Sequence, residues 1–397
     1  MSQRHLHIVL VEPNPSGGLF HFAYQLGTAL AGQGHRVELL TGPRPELEAQ
    51  VTGFSVVATL PTWHGGGGQM PAVVRKLRRA TRAVRYIGAW LTVLVHVHRC
   101  RPDVVQLAEW RFGIDGFLAA WLARRGWARA VTDLAHSPIP LEERRAGSPY
   151  RRGWLLDRGL DAGYRAMDTV IVLGESSRRD QLLRWPHTAR VDVISHGDEE
   201  VLVAGPLPPP SASPPQSVFF GILTGYKGLD ALMDAHALVV ARLPSARLLI
   251  AGATMPDLDV ERLQARAASI PGVSLRLGYV PIPEVAALMG SARLVVAPYR
   301  RSNASGIVRL AQTAGRPVVV TAVGDLADSV DDGETGFVVP PGDVSALAAA
   351  MLPLLTDIAL ADRMGAEGRR RLQATAAWPL VGRQLTAIYG ELVGGTA

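Results

Sequence analysis

The chain has 397 residues, 48% of them hydrophobic and 19% charged, which is more than one ordinary core holds and predicts two or three domains. A single cysteine, Cys100, excludes an intramolecular disulfide, and no Cys/His cluster has metal-ligand spacing. With no basic and apolar leader at its start, the chain is expected in a reducing cytoplasm. The net charge of +6 lies entirely in the first 200 residues, where 25 Lys+Arg face 19 Asp+Glu, against 16 and 16 in the remainder.

Apolar runs of strand length alternate with segments of helical period from start to end, the mark of α/β units around parallel sheets. In the first half the expected strands are His5 to Val11, Arg36 to Leu40, Ser55 to Leu60, Asp103 to Leu107, Ala128 to Leu134, Thr169 to Leu173 and Val191 to Ser195. The first leads through Gly17 and Gly18 into a helix with Leu19, Phe22, Leu26 and Leu30 on one face. Between Glu48 and Asp103 no acidic residue occurs, while Arg75, Lys76, Arg78, Arg79, Arg82, Arg85, Arg99 and Arg101 crowd the end of that window. Such a basic, partly amphipathic stretch over 75–101 suits anionic lipid headgroups, and it equally suits a solvated helix face. Its apolar part, Tyr86 to Val97, is too short to span a bilayer, and no groove-reading module accompanies it, so nucleic acid is not the expected partner.

At 205–217 the composition changes to GPLPPPSASPPQS, which reads as a semi-rigid linker between a domain over 1–204 and one over 218–376. Strands are then expected at Val218 to Phe220, Arg247 to Ala251, Ser274 to Leu277, Leu294 to Ala297, Pro317 to Thr321 and Gly336 to Val339. From Trp378 to Val393, within a final segment over 377–397, apolar residues at helical spacing need a surface to cover.

Four places carry chemistry. NPSGGLF after the first strand is not G-x-G-x-x-G, which argues against a nicotinamide dehydrogenase, yet Gly17 and Gly18 permit close approach of a ligand to the backbone. In FFGILTGYKGLDAL, Lys227, one of only two lysines in the chain, sits on a glycine-rich loop where it can neutralise a diphosphate. In RLVVAPYRRSNASGIVRLAQTAGRP a strand, a polar loop and a helix over Ile307 to Ala314 follow one another. Ser302, Asn303 and Ser305 read as caps, and Gly306 leaves the helix start open for an anion. His136, in DLAHSPIP, follows a strand at the expected cleft edge.

These segments, with LLIAGAT, LGYVPIPEVAALMGSARLVVAPY and AGRPVVVTAVGDLADSVDDGETGFVVPPGDVSALAAAM, resemble the retaining glycosyltransferases of the GT-B fold, in particular glycosyltransferase family 4. The resemblance implies two Rossmann-like domains facing each other across a cleft and a C-terminal helix returning to the first. It also implies a nucleoside diphosphate sugar of UDP or GDP type as donor, no metal and no further cofactor, and a saccharide, lipid-linked or small-molecule acceptor. Carried over, Lys227 and Thr224 stand in the phosphate loop, and Ser305, Gly306 and Ile307 supply amides to the distal phosphate, with Ser302 and Asn303 just before them. Gly17 and Gly18 lie near the phosphates, His136 contacts the transferred sugar, and Tyr279 or Val280 gives backbone bonds to the base. Two departures stand out: the family's paired glutamates correspond to Ser302 and Leu310, and its phosphate-loop arginine to Ile222 or Thr224, as in a variant branch with a Ser-Gly turn. Two alternatives accompany this reading, a catalytically silent scaffold and a sugar-nucleotide epimerase with Glu109, Asp133 or Glu142 as acid and base.

Overall fold

In a computed structural model, residues 5–62, 72–108, 110, 112–136, 154–302 and 305–394 are described, and Asn303, Glu109 and Glu142 lie outside them. Two compact units divide the chain. The second holds His196–Ala377, and the first is completed by the C-terminal helix from Trp378.

The first unit contains seven strands, β1 (His7–Val11), β2 (Arg36–Leu40), β3 (Phe54–Val57), β4 (Val104–Ala108), β5 (Ala130–Leu134), β6 (Thr169–Val172) and β7 (Val191–Val193). All pair in parallel in the order β3-β2-β1-β4-β5-β6-β7, so the direction of winding reverses between β1 and β4. Strands such as VVQLA and AVTDL are covered on both faces, which is why they read as near-continuous apolar runs. The covering helices are α1 (Gly18–Gly32), α2 (Ala72–Cys100), α3 (Gly113–Ala123), α4 (Trp154–Ala166) and α5 (Glu175–Arg184). Helices α3 and α4 touch backbone to backbone through Gly113, Gly116 and Gly159, where any Cβ would overlap the facing main chain.

Six parallel strands build the second unit: β8 (Gln216–Phe220), β9 (Arg247–Gly252), β10 (Val273–Leu277), β11 (Leu294–Ala297), β12 (Val318–Thr321) and β13 (Gly336–Val339), ordered β10-β9-β8-β11-β12-β13. Winding reverses between β8 and β11, the place where doubly wound sheets bind ligands beyond their strand ends. Helices α6 (Leu229–Arg242), α7 (Val260–Ser269), α8 (Ile282–Gly290), α9 (Gly306–Thr313), α10 (Gly324–Asp328), α11 (Val344–Thr356) and α12 (Ile358–Ala376) cover it, and α13 (Trp378–Gly394) belongs to the first unit. There α13 rests on α1 with Gly382 against Ala29, while His35 donates from Nε2 to the Thr386 hydroxyl at 2.9 Å and Tyr389 bonds to Gln106.

The proline-rich stretch is not a free linker. The second unit already begins at His196, and residues 208–213 are held to it by a fully buried arginine. Arg316 donates to the carbonyls of Pro208 (2.7 Å) and Met289 (2.9 Å), Arg293 to that of Ser213, and Ser211 N–H to Asp362. Prolines cannot donate to a ladder, but their carbonyls accept as well as any, and a buried guanidinium needs acceptors.

Candidate active site

In the second unit the loops following β10, β9, β8 and β11 all emerge at the carboxyl end of the sheet. The first three strands end in glycines with positive φ: Gly278 (φ 122), Gly252 (φ 148) and Gly221 (φ 137). A Cβ on Gly252 would overlap the Gly221 carbonyl, and Gly278 N–H donates to Gly252 O at 2.9 Å. This leaves a shelf of bare backbone on which a flat group can lie. Beside it Val280 is buried and the Tyr279 side chain is exposed.

Beyond β8 the chain makes a 3₁₀ turn, Gly225–Lys227, with Thr224 at its N-cap position and Gly225 N–H donating to Asp257 at 3.0 Å. Gly228 is left-handed (φ 71) and a Cβ there would also run into the Pro298 carbonyl, so glycine is needed on both counts, and Tyr226 O accepts from Arg300 N–H at 2.8 Å. The turn is thus pinned to the loop after β11. It places the Lys227 ammonium 3.6 Å from the centre of the Tyr299 ring and 5.2 Å from that of Tyr226. Burial pulls Lys227 down to about 8, against a weaker opposing pull from Tyr226. Thr224 is buried and its hydroxyl has no protein partner.

Tyr299 links this loop to α9. Its hydroxyl, pushed upward in pKa by burial, receives a bond of 3.4 Å from the Ser305 hydroxyl. Ser305 occupies the N-cap position of α9, but its side chain makes no cap bond, so capping does not account for it. Ser305 itself therefore leaves the first-turn amides and the helix dipole to another acceptor. The helix start is also less open than a flanking glycine suggests. A Cβ on Gly306 would stand 3.0 Å from Glu199 Oε1 and 3.5 Å from His196 Nε2, two buried residues at the entrance to this unit. His196 donates from Nδ1 to Gly197 O at 3.0 Å, and burial lowers it to about 4, leaving it neutral with a lone pair on Nε2. Spacing gave no sign of this pair, because Glu199 lies more than a hundred residues before the helix it adjoins. Ser302 is buried, Ile307 packs into the core, and Leu310, one of the positions of the family's glutamates, is buried as well.

In the first unit Gly17 (φ 85) and Gly18 precede and open α1, with nothing within 4 Å of a Cβ at either. Glu46 accepts from Gly17 N–H at 3.3 Å and from His21 Nε2 at 2.8 Å, so a carboxylate already sits at this helix start. His136, after β5, packs edge-on to Phe22 of α1 with centroids 5.0 Å apart, and Phe22 in turn meets Trp378 at 5.2 Å. At the β1/β4 reversal, Val11, Tyr86, Trp90, Leu107 and Trp110 line a cavity of about 30 Å³, room for one water-sized group rather than a ligand. Asp133 of β5 is buried.

Both halves match known families. Residues 16–198 fit the model described as Glycosyltransferase Family 4 and residues 214–357 that of Glycosyl transferases group 1. A phosphatidyl-myo-inositol mannosyltransferase from Mycobacterium leprae is 35% identical over 387 residues, covering 94% of this chain and 92% of the relative. The chain belongs to glycosyltransferase family 4. It is an enzyme of that type, with two parallel-sheet units and a C-terminal helix consistent with GT-B. A glycogen synthase from Mycobacterium tuberculosis is 26% identical with coverage of 94% and 91%. Among solved structures, sucrose-phosphate synthase from Thermosynechococcus elongatus superposes with a TM-score of 0.75 at 23% identity, covering 99% of this chain and 100% of that one. The Anabaena protein HepE in complex with UDP-glucose gives 0.68 at 15% identity, covering 98% and 100%. At such identities the likeness is one of fold.

Proposed function

We propose that this glycosyltransferase takes its sugar from a nucleoside diphosphate sugar and transfers it with retention to a saccharide or lipid-linked acceptor. The observation that carries the reading is the junction at Tyr299, where a half-buried lysine and a helix start that Ser305 does not cap meet on one side chain. A diphosphate leaving group develops charge as its bond to the anomeric carbon breaks, and fixed positive groups in a water-poor site stabilise that charge. Lys227 and the α9 amides supply it without calling on a metal. The acceptor oxygen forms its bond to the same face of the anomeric carbon, and its proton passes to the departing phosphate oxygen. No carboxylate pair of the hydrolase kind is needed for that step. The glycine shelf takes the base, beside Tyr279 and Val280. Unfolding of the protein is followed with UDP, GDP, ADP and dTDP, since a ligand of the native state raises stability as RT ln(1 + [L]/Kd). One nucleotide shifts the wild type and none shifts Lys227→Ala; a shift that survives in the variant removes Lys227 from the site. Turnover of the matching nucleotide sugar excludes a silent scaffold.

The acceptor side is read from α2 and α3. Val84, Ile87, Leu91 and Val95 form an exposed apolar stripe along α2, and Ile114, Phe117 and Trp121 form another on α3. Tyr86 of α2 meets Phe112 just before α3, His98 of α2 and Trp121 of α3 both meet Trp127 just after it, and Arg125 stacks over Trp121 at 4.2 Å. Apolar stripes with a basic margin suit the headgroup region of an anionic membrane, which supports a location at its inner face in the cytoplasm and favours a lipid-linked acceptor. No single helix among the described residues is long and apolar enough to cross a membrane. Co-sedimentation with phosphatidylglycerol vesicles, lost for Leu91→Glu and absent with phosphatidylcholine, is the expected result; equal recovery with both lipids refutes it.

A further inference from the structure

Arg309 stands one turn into α9 and, at i+4, shares a face with Ser305. Side chains on a helix lean toward its N-terminus, and the charge of this one is felt by His196, whose Nε2 lies beside Gly306 in the first turn. Its single hydrogen bond, 3.2 Å to Gln312 Oε1, is to a neutral amide that itself donates to Ser329 O. No carboxylate lies within ion-pair distance of it among the described residues. Other arginines of this unit reach several acceptors or a carboxylate, although each keeps one buried nitrogen without a partner: Arg316 has the carbonyls of Pro208, Met289 and Gly290, Arg293 those of Leu355 and Ser213, and Arg266 has Asp234. Burial alone lowers Arg309 to about 10, with nothing pulling the other way, and its charge adds to the burial that keeps neighbouring His196 neutral. The guanidinium is part-buried with no carboxylate against it, so an anion reaching this turn meets an unmatched charge. On the phosphate loop itself, the positions expected to carry an arginine hold an exposed Ile222 and a buried Thr224 with an unpartnered hydroxyl, so that loop brings Lys227 as its sole cation.

We propose that Arg309 is the second cation of the donor site, gripping the diphosphate from the helix side of α9 and replacing the arginine that the loop after β8 lacks. The inference rests on the donor-site reading above. It gives the site a planar fork able to take two phosphate oxygens, where Lys227 offers a point charge. Thr224 adds a hydroxyl donor on the loop side.

Calorimetric titration with UDP, GDP and ADP, and with the corresponding monophosphates, tests it on wild type, Arg309→Gln, Arg309→Lys and Lys227→Ala, with the unfolding midpoint of each measured alongside. For the nucleotide the wild type binds best, Arg309→Gln weakens the diphosphate at least about tenfold and the monophosphate by less than about threefold, since one charge-assisted contact to the distal phosphate is lost. Arg309→Lys falls between, and serves as the folded control should the glutamine variant unfold. Wild-type diphosphate affinity in Arg309→Gln, with loss in Lys227→Ala, overturns the role of Arg309 and leaves the donor site standing. Equal losses for mono- and diphosphate with a lowered midpoint make Arg309 structural and overturn it too. Wild-type affinity in both Arg309→Gln and Lys227→Ala removes the donor site with it.

Discussion

Replacing Lys227 with methionine separates stability from function in a single variant. In the native protein its ammonium is pulled from 10.5 to about 8 by burial, a penalty of at most ~3 kcal/mol at ~1.4 kcal/mol per pH unit. Because the side chain is only half-buried, solvent screening leaves about half of that. The ring of Tyr299 at 3.6 Å returns ~1 kcal/mol. Lys227→Met, which keeps the stem and discards the charge, is therefore expected to leave stability at pH 7 unchanged or raised by up to ~1 kcal/mol. The same variant loses a charge-assisted contact to phosphate of ~1.5–3 kcal/mol, or roughly 10- to 100-fold in nucleotide affinity. Linkage supplies a second signature. Between pH 8 and 10.5 the unfolded chain holds a proton on Lys227 that the native chain has released, so wild-type stability rises with pH across that window, and the variant lacks this contribution. Nucleotide affinity of the wild type falls as the pH passes about 8. Urea unfolding at pH 7 and pH 10 with parallel calorimetry reads all of these. Destabilisation by more than ~1 kcal/mol with unchanged nucleotide affinity would refute the reasoning, because Lys227 would then be a structural cation.

Gly252→Ala drives a methyl into the Gly221 carbonyl at a φ of 148, where only glycine is at ease, and should cost ~3 kcal/mol or more, lowering the thermal midpoint by several degrees. A midpoint unchanged in scanning calorimetry would show that the strand ends yield. In the first unit, Glu38 is pushed up by burial, but His7 at 2.8 Å and His96 at 2.9 Å outweigh that and hold it below the ordinary value of 4.5. Its contribution is present above the unfolded pKa and is lost as pH falls through the folded one, so Glu38→Gln should flatten the acid side of the stability profile below about pH 4.5. Urea midpoints between pH 3 and 6 that fall in parallel for both proteins would disprove it.

Every strand of both sheets was legible in the sequence: a central strand covered on both faces has to be an unbroken apolar run, as in VVVT or LVVA, while an edge strand such as VSLRL alternates. Their ends were less legible: Ser55 to Leu60 shortens to Phe54–Val57 once Gly53 sets the register against Val37. Lys227 and Gly306 could be found by local pattern, since a loop and a helix start are local events. Glu199, His196 and Arg309 could not, because their meaning comes from the fold bringing two distant segments together around α9. Composition misled at 205–217. A run of prolines looks like a spacer until Arg316, a hundred residues on, supplies the donors for its carbonyls.

The return of α13 to the first unit also sets an order of assembly. Residues 196–377 form a continuous stretch of chain and can close on themselves as soon as β13 and the helices after it are made. Residues before Ser195 cannot finish, because Tyr389, Leu385 and Val381 are fully buried there and arrive last. A ribosome thus delivers the earlier half as an incomplete body, with the α1 face that α13 will cover still open, while the later half is already compact. In refolding experiments, completion of the first unit should therefore wait on the docking of one C-terminal helix.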